Sequence, residues 1–151
     1  MPQSRYDIAI IGGGFSGLAV LANLVKTLTR PMRIAVISRE PAGVFGPAYS
    51  TPRAEHLLNV RASAMGLYAD DHGHFLKWAQ DNGHNAKAGD YMPRPLYGQY
   101  LASILAETKA AAAERDIPLD FFQGEVDDVA DEDEYLEIRS GSDIIAARYV
   151  V

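Results

Sequence analysis

The chain has no cysteine among its 151 residues, which excludes disulfide staples, thiolate metal sites and thiol redox chemistry. It also lacks a long apolar run. The longest, around Leu18 to Val25, is interrupted by Asn23 and falls well short of the ~20 residues a helix needs to span a bilayer. Positive charge is scarce: 14 Lys and Arg stand against 20 Asp and Glu, a formal net charge of −6. An acidic surface repels a phosphate backbone, which argues against nucleic acid as a partner. A small phosphate ligand stays open, because helix N-termini and backbone amides bind phosphate without a basic surface. Residues 1–6, Met-Pro-Gln-Ser-Arg-Tyr, run straight into a strand with no secretory leader before it. The expectation is a soluble, cytoplasmic protein with no membrane association. No residue stands out as a catalytic acid, base or nucleophile. His72-x-His74 lacks the third and fourth ligands that zinc requires.

What is present reads as one α/β domain. Tyr6 to Ile11 is nearly all apolar and β-branched, as a strand at the centre of a parallel sheet must be. Gly12 to Gly17 is a glycine-rich turn, and positions 18, 21, 22, 25 and 28 then follow a helical period that Pro31 closes. Arg33 to Ile37 is a second buried strand, so the first 37 residues form a right-handed β-α-β unit. Residues 41–69 have no strong period and form a long loop of the kind that usually carries function or is disordered. Asp70 or Asp71 is positioned to cap a short helix containing Phe75, Leu76 and Ala79, with Gly83 at its end. Pro95 suits the first turn of a longer helix whose apolar face includes Leu96, Tyr97, Tyr100, Leu101, Ile104 and Leu105. From Pro118 the period becomes two. Residues 119–122 read as a strand, and 125–130, 135–139 and 143–147 as an antiparallel meander, before a further strand opens at Tyr149-Val150-Val151. Trp78 and Tyr100 are read as core.

The turn carries the chemistry. Gly12, Gly14 and Gly17 match G-x-G-x-x-G between a strand and a helix, the context that gives this pattern meaning. Gly12 permits the tight turn, Gly14 lets the backbone approach a pyrophosphate, and Gly17 allows helix and strand to pack closely. The helix opening near Phe15 aims its amides at the phosphates, and Ser16 adds a hydroxyl donor. An acidic residue some 20 positions on should hold the ribose hydroxyls. The position after Val36-Ile37 is Ser38, followed by Arg39 and Glu40. Either Ser38 or Glu40 meets the ribose, or Ser38 and Arg39 hold a 2′-phosphate, which would make the ligand NADP.

Further segments carry a resemblance. Tyr6 to Gly17, Gly46-Pro47-Ala48-Tyr49-Ser50-Thr51, His56-Leu57-Leu58-Asn59-Val60 with Met65, Phe75-Leu76-x-Trp78 and Pro93-Arg94-x-x-Tyr97-Gly98-x-Tyr100-Leu101 together resemble a bacterial FAD/NAD(P)-binding family. These are two-dinucleotide-binding flavoproteins whose relatives include flavin-dependent N-hydroxylating monooxygenases and other flavin oxidoreductases. The resemblance implies a Rossmann-like, three-layer α/β fold with a parallel sheet and a β-meander. It implies FAD in the glycine loop, with NAD(P)H as the hydride donor. It places the 46–65 loop, with Asn59 as its best polar candidate, near the flavin half, and the Val126 backbone beside the adenine. Arg94 is open to a phosphate or flavin oxygen, or is a surface charge. Ser38 departs from the family, which usually has an acidic residue there. Family members are several times longer and continue past a strand like Tyr149 to Val151 into a cofactor-contacting turn. The resemblance therefore implies that 1–151 is an incomplete N-terminal domain, inactive alone, that associates through an exposed sheet edge. The competing function is an NADP-binding or non-catalytic nucleotide-binding module.

Overall fold

The computed structural model describes residues 5–151; the first four residues of the segment read as running into the first strand lie outside the described residues. Strand β1 (Arg5–Ile11) leads into helix α1 (Phe15–Thr27) and strand β2 (Ile34–Ser38). A long irregular stretch containing a single 3₁₀ turn (Ala62–Ala64) precedes helices α2 (His74–Asp81) and α3 (Arg94–Glu114). Strands β3 (Leu119–Gln123), β4 (Asp128–Asp131), β5 (Leu136–Ser140) and β6 (Asp143–Val150) complete the chain. The sheet order is β3-β2-β1-β6-β5-β4. β3, β2, β1 and β6 run parallel, while β6, β5 and β4 form an antiparallel meander.

Two apolar clusters account for the layers. Ile8 and Ile10 of β1 and Ile34 and Val36 of β2 pack against Leu18, Leu21 and Val25 of α1 and against Leu101, Ile104 and Leu105 of α3. On the other face, Ala9, Ala35 and Ile37 meet Ile138 of β5 and Ile145 and Ala147 of β6. The meander therefore curls back over the sheet and forms the third layer, opposite the helices. Successive residues of β2 alternate between the two clusters, which is why it must be apolar on both sides.

The fold corrects the sequence reading in three places. Helix α2 is capped by Gly73, not by the side chain of Asp70 or Asp71. Asp71 contributes only its backbone carbonyl, accepting from the His74 amide at 3.2 Å, and the Asp70 carboxylate is drawn to Lys26 at 3.4 Å. The first meander strand starts at Asp128, not at residue 125, because residues 124–127 cross from the parallel layer to the meander. The segments 143–147 and 149–151 belong to one continuous strand: no turn residue separates them, and the chain stays extended through Arg148. The lower part of β6 pairs with β5, and the strand runs alongside β1. Beyond it, the Val151 amide donates to Ala9 at 2.9 Å and the Ile11 amide donates to Val151 at 2.8 Å. Strand β1 is thus covered on both sides, and the outermost strands are β3 and β4.

Candidate functional site

The C-terminal ends of β1 and β2 and the segment after β3 converge on a groove of about 370 Å³. The glycine loop forms its floor. Gly12 leaves β1 with φ +111°, a left-handed geometry that favours glycine, and its amide donates to the Ile37 carbonyl at 2.8 Å. A side chain at Gly17 would collide with the Gly12 carbonyl oxygen, so the first turn of α1 sits directly on the loop. Gly14 is the N-cap of α1, and a Cβ there would meet nothing within 4 Å. That open position is where a ligand can touch backbone. The first turn of α1 has no acidic residue and no side-chain cap, so its amides remain available to an anion and the helix dipole favours one.

The second wall is Ser38, Arg39 and Glu40, and the third is Gly124, Glu125 and Val126. Ser38 is the last residue of β2 rather than the first after it, paired with Gln123. Its carbonyl accepts from the Gly124 amide at 2.8 Å. Its hydroxyl lies so close to Gly13 that a Cβ on Gly13 would come within 2.9 Å. Arg39 and Glu40 are exposed. The Arg39 guanidinium reaches across to Glu125 at 3.8 Å, and the Arg39 carbonyl accepts from the Gln123 side chain at 3.4 Å. Val126 lines the groove and packs against the meander core. Val44 and Gly46, at the start of the long loop, close the rim.

The structure thus brings Gly12, Gly14, Ser38, Arg39, Glu40 and Val126 to one groove. It separates the others. Gly17 acts behind the loop. The Phe15 ring packs away toward Tyr49 and Tyr97, at centroid distances of 6.5 and 6.3 Å, leaving only its amide at the helix start. Ser16 is exposed on the first turn of α1. Asn59 is exposed on the segment beside residues 92–94 and does not line the groove. Arg94 is not an idle surface charge. Its Nε donates to the Leu57 carbonyl at 2.9 Å and Nη1 to Ala48 at 3.5 Å, which ties the long loop to α3. Gly98 completes that joint, since any side chain there would strike the Tyr49 carbonyl. Sequence reasoning missed Gly13, Gly124 and Glu125. Glu125 was one residue from Val126 and was legible by adjacency; Gly13 was hidden because its constraint, Ser38, lies far along the chain.

A second, more enclosed cavity of about 180 Å³ lies between α1, β2, β3 and residues 40–45. Its walls are mainly apolar, including Leu18, Leu21, Val36, Phe45 and Phe121. The aromatic cluster behind the loop is held un-ionised. Burial pushes the Tyr100 hydroxyl up to about 12 and raises Tyr97 further. The Tyr100 hydroxyl accepts from the Leu67 amide at 3.0 Å and is hydrogen-bonded to His74 Nδ1 at 2.8 Å. Among the described residues no group of three His, Asp or Glu side chains could hold a metal ion, and no helix is long and apolar enough to cross a membrane.

Residues 9–151 match the model of a family described as FAD-NAD(P)-binding. No curated protein matches the chain. Among solved structures, bacillithiol disulfide reductase from Staphylococcus aureus is similar at 14% identity and a TM-score of 0.58, over 98% of this chain and 38% of that one. Thioredoxin reductase from Streptococcus pyogenes is similar at 14% and 0.54, over 98% and 34%. A cyclohexanone monooxygenase variant from Rhodococcus sp. Phi1, bound to NADP+, is similar at 17% and 0.66, over 97% and 26%. At these identities the likeness is one of fold. The chain spans between about a quarter and two fifths of the length of these structures.

Proposed function

The chain belongs to the FAD-NAD(P)-binding family, and from that premise we propose that its groove holds FAD as the dinucleotide-binding part of a flavin-dependent oxidoreductase. The observation that carries this reading is the open face of Gly14 at the capless N-terminus of α1. An open backbone face at Gly14, backed by helix amides, fits an anion such as a pyrophosphate. Gly12, Gly14 and the amides of Phe15 and Ser16 hold the pyrophosphate, and Gly17 keeps the helix close enough for them to reach it. Ser38 and Glu40 face the ribose, and the Val126 backbone borders the adenine. When bound, FAD supplies a ring that accepts a hydride or electrons. This chain's part is to bind and orient it. NAD(P)H as hydride donor and the reductase or monooxygenase chemistry of the similar structures belong to the same proposal.

The competing reading is a module for NADP, with Arg39 on the 2′-phosphate. The pairing of Arg39 with Glu125 speaks against it. Mass spectrometry of ligand released from the purified protein, with and without prior incubation in FAD or NADPH, tests the proposal. FAD in near-stoichiometric amount is the expected result. NADPH alone, or no retained dinucleotide from a folded protein, overturns it.

A further inference from the structure

The adenosine end of the groove has an unusual charge pattern. The residue that ends β2 is Ser38, a neutral side chain. The charged residues lining the groove are Arg39, Glu40 and Glu125, one cation against two carboxylates. The cation leans toward one of those carboxylates: Arg39 Nη1 lies 3.8 Å from Glu125 Oε1, with both side chains exposed. The backbone beneath it is tied to the far wall: the Arg39 carbonyl accepts from the Gln123 side chain and the Ser38 carbonyl from the Gly124 amide. Glu125 sits on the far wall, directly after the strand that supplies those bonds.

We propose that Glu125 is a specificity-determining residue: it adds a second negative charge opposite Glu40 and competes for Arg39 with any incoming 2′-phosphate, and so favours adenosine with free ribose hydroxyls. The proposal rests on the groove being an adenine-dinucleotide site. It goes beyond that reading by assigning discrimination to the segment after β3 rather than to the end of β2. The physics is local charge. A 2′-phosphate carries roughly two negative charges at neutral pH. Entering between Glu40 and Glu125, it meets repulsion from both and competes with Glu125 for the only guanidinium. A ribose with free hydroxyls carries no charge there and can donate to either carboxylate. As a stabilising ion pair the Arg39–Glu125 contact is worth little, because both side chains are largely exposed. Its effect is on which ligand the guanidinium can serve.

Two probes isolate the difference, AMP and adenosine 2′,5′-bisphosphate, which differ only in the 2′-phosphate. Their affinities are measured by displacement calorimetry against FAD on the 151-residue chain, the Glu125→Gln variant and the Glu125→Gln/Arg39→Ala double variant, each checked for folding by circular dichroism. Wild type is expected to favour AMP. Glu125→Gln should shift the ratio toward the bisphosphate by about tenfold, the size expected for one like charge removed at close range in a partly solvated site. The double variant should lose the shift, and high salt should compress it. A ratio that does not move in Glu125→Gln, or a wild type that already favours the bisphosphate, overturns the proposal while leaving FAD binding intact. A folded wild type that does not bind FAD at all overturns the underlying site reading instead.

Discussion

At the scale of single residues, the glycines of the loop have separable jobs. Gly14 faces open space and Gly17 faces the Gly12 carbonyl, so equal substitutions should fail in different ways. Gly14→Val is expected to fold with a melting temperature close to wild type and to lose FAD affinity roughly 100-fold, equivalent to about 2.7 kcal/mol. Gly17→Val should destabilise the protein by about 2 kcal/mol or more, since the collision is with backbone that cannot step aside. Thermal melts and FAD titrations of the two variants separate binding from packing; matching stability losses would contradict the assignment. Tyr100 offers a third case. Tyr100→Phe keeps the packing but leaves the Leu67 amide without its acceptor. A buried donor stranded in this way costs about 1–3 kcal/mol, read as a lower denaturation midpoint. An unchanged midpoint would mean that the hydroxyl is dispensable.

At the scale of elements, the sequence motifs turn out to describe a joint. The Gly46 to Thr51 turn and the Arg94 to Leu101 helix start dock on one another, through Gly98 against Tyr49 and through Arg94 on Leu57 and Ala48. Arg94→Ala should therefore raise amide exchange across residues 48–58 in the ligand-free protein and lower stability by ~1 kcal/mol. A variant with unchanged exchange but impaired FAD binding would return Arg94 to the role of a direct ligand contact. The elements that were legible beforehand share a cause. β1, α1, β2 and α3 bury residues at a regular period against neighbours already present in the β-α-β unit, so local pattern and tertiary demand agree. The elements read less well depend on distant partners. The start of β4 is set by where the chain must cross from one layer to another. The continuity of β6 is set by two neighbours, β5 and β1, that no window along the chain contains. The cap of α2 is Gly73 rather than an aspartate, and Asp70 pairs with Lys26 of α1, again a partner remote in sequence.

At the scale of the whole molecule, the three layers leave the helix-side core rich in buried tyrosine. Burial holds Tyr97 and Tyr100 above the ordinary tyrosine value of 10.0 in the folded state. The un-ionised form is thus favoured by folding. Stability from this source is fully present below the unfolded value near 10 and is lost as pH rises toward the folded value of about 12 for Tyr100. Urea midpoints should be flat between about pH 7 and 9 with respect to these groups and should fall steeply by about pH 11. Equal midpoints at about pH 8 and pH 11 would show that the cluster ionises as readily in the folded protein as in the unfolded chain. The same layering places β6 beside β1, so the sheet edges left open are β3 and β4. The glycine loop was readable from sequence because its strand, turn and helix are contiguous. The opposite wall, Gly124 to Val126, is more than 100 residues away and was only partly found. The central claim is that a dinucleotide lies between those two walls, and hydrogen exchange measured with and without FAD tests it most directly. The account predicts added protection at the amides of residues 12–17 and 124–126 together. Protection confined to residues 40–45 and 121–123 around the apolar cavity, or no protection at the glycine loop of a protein that retains FAD, would contradict it.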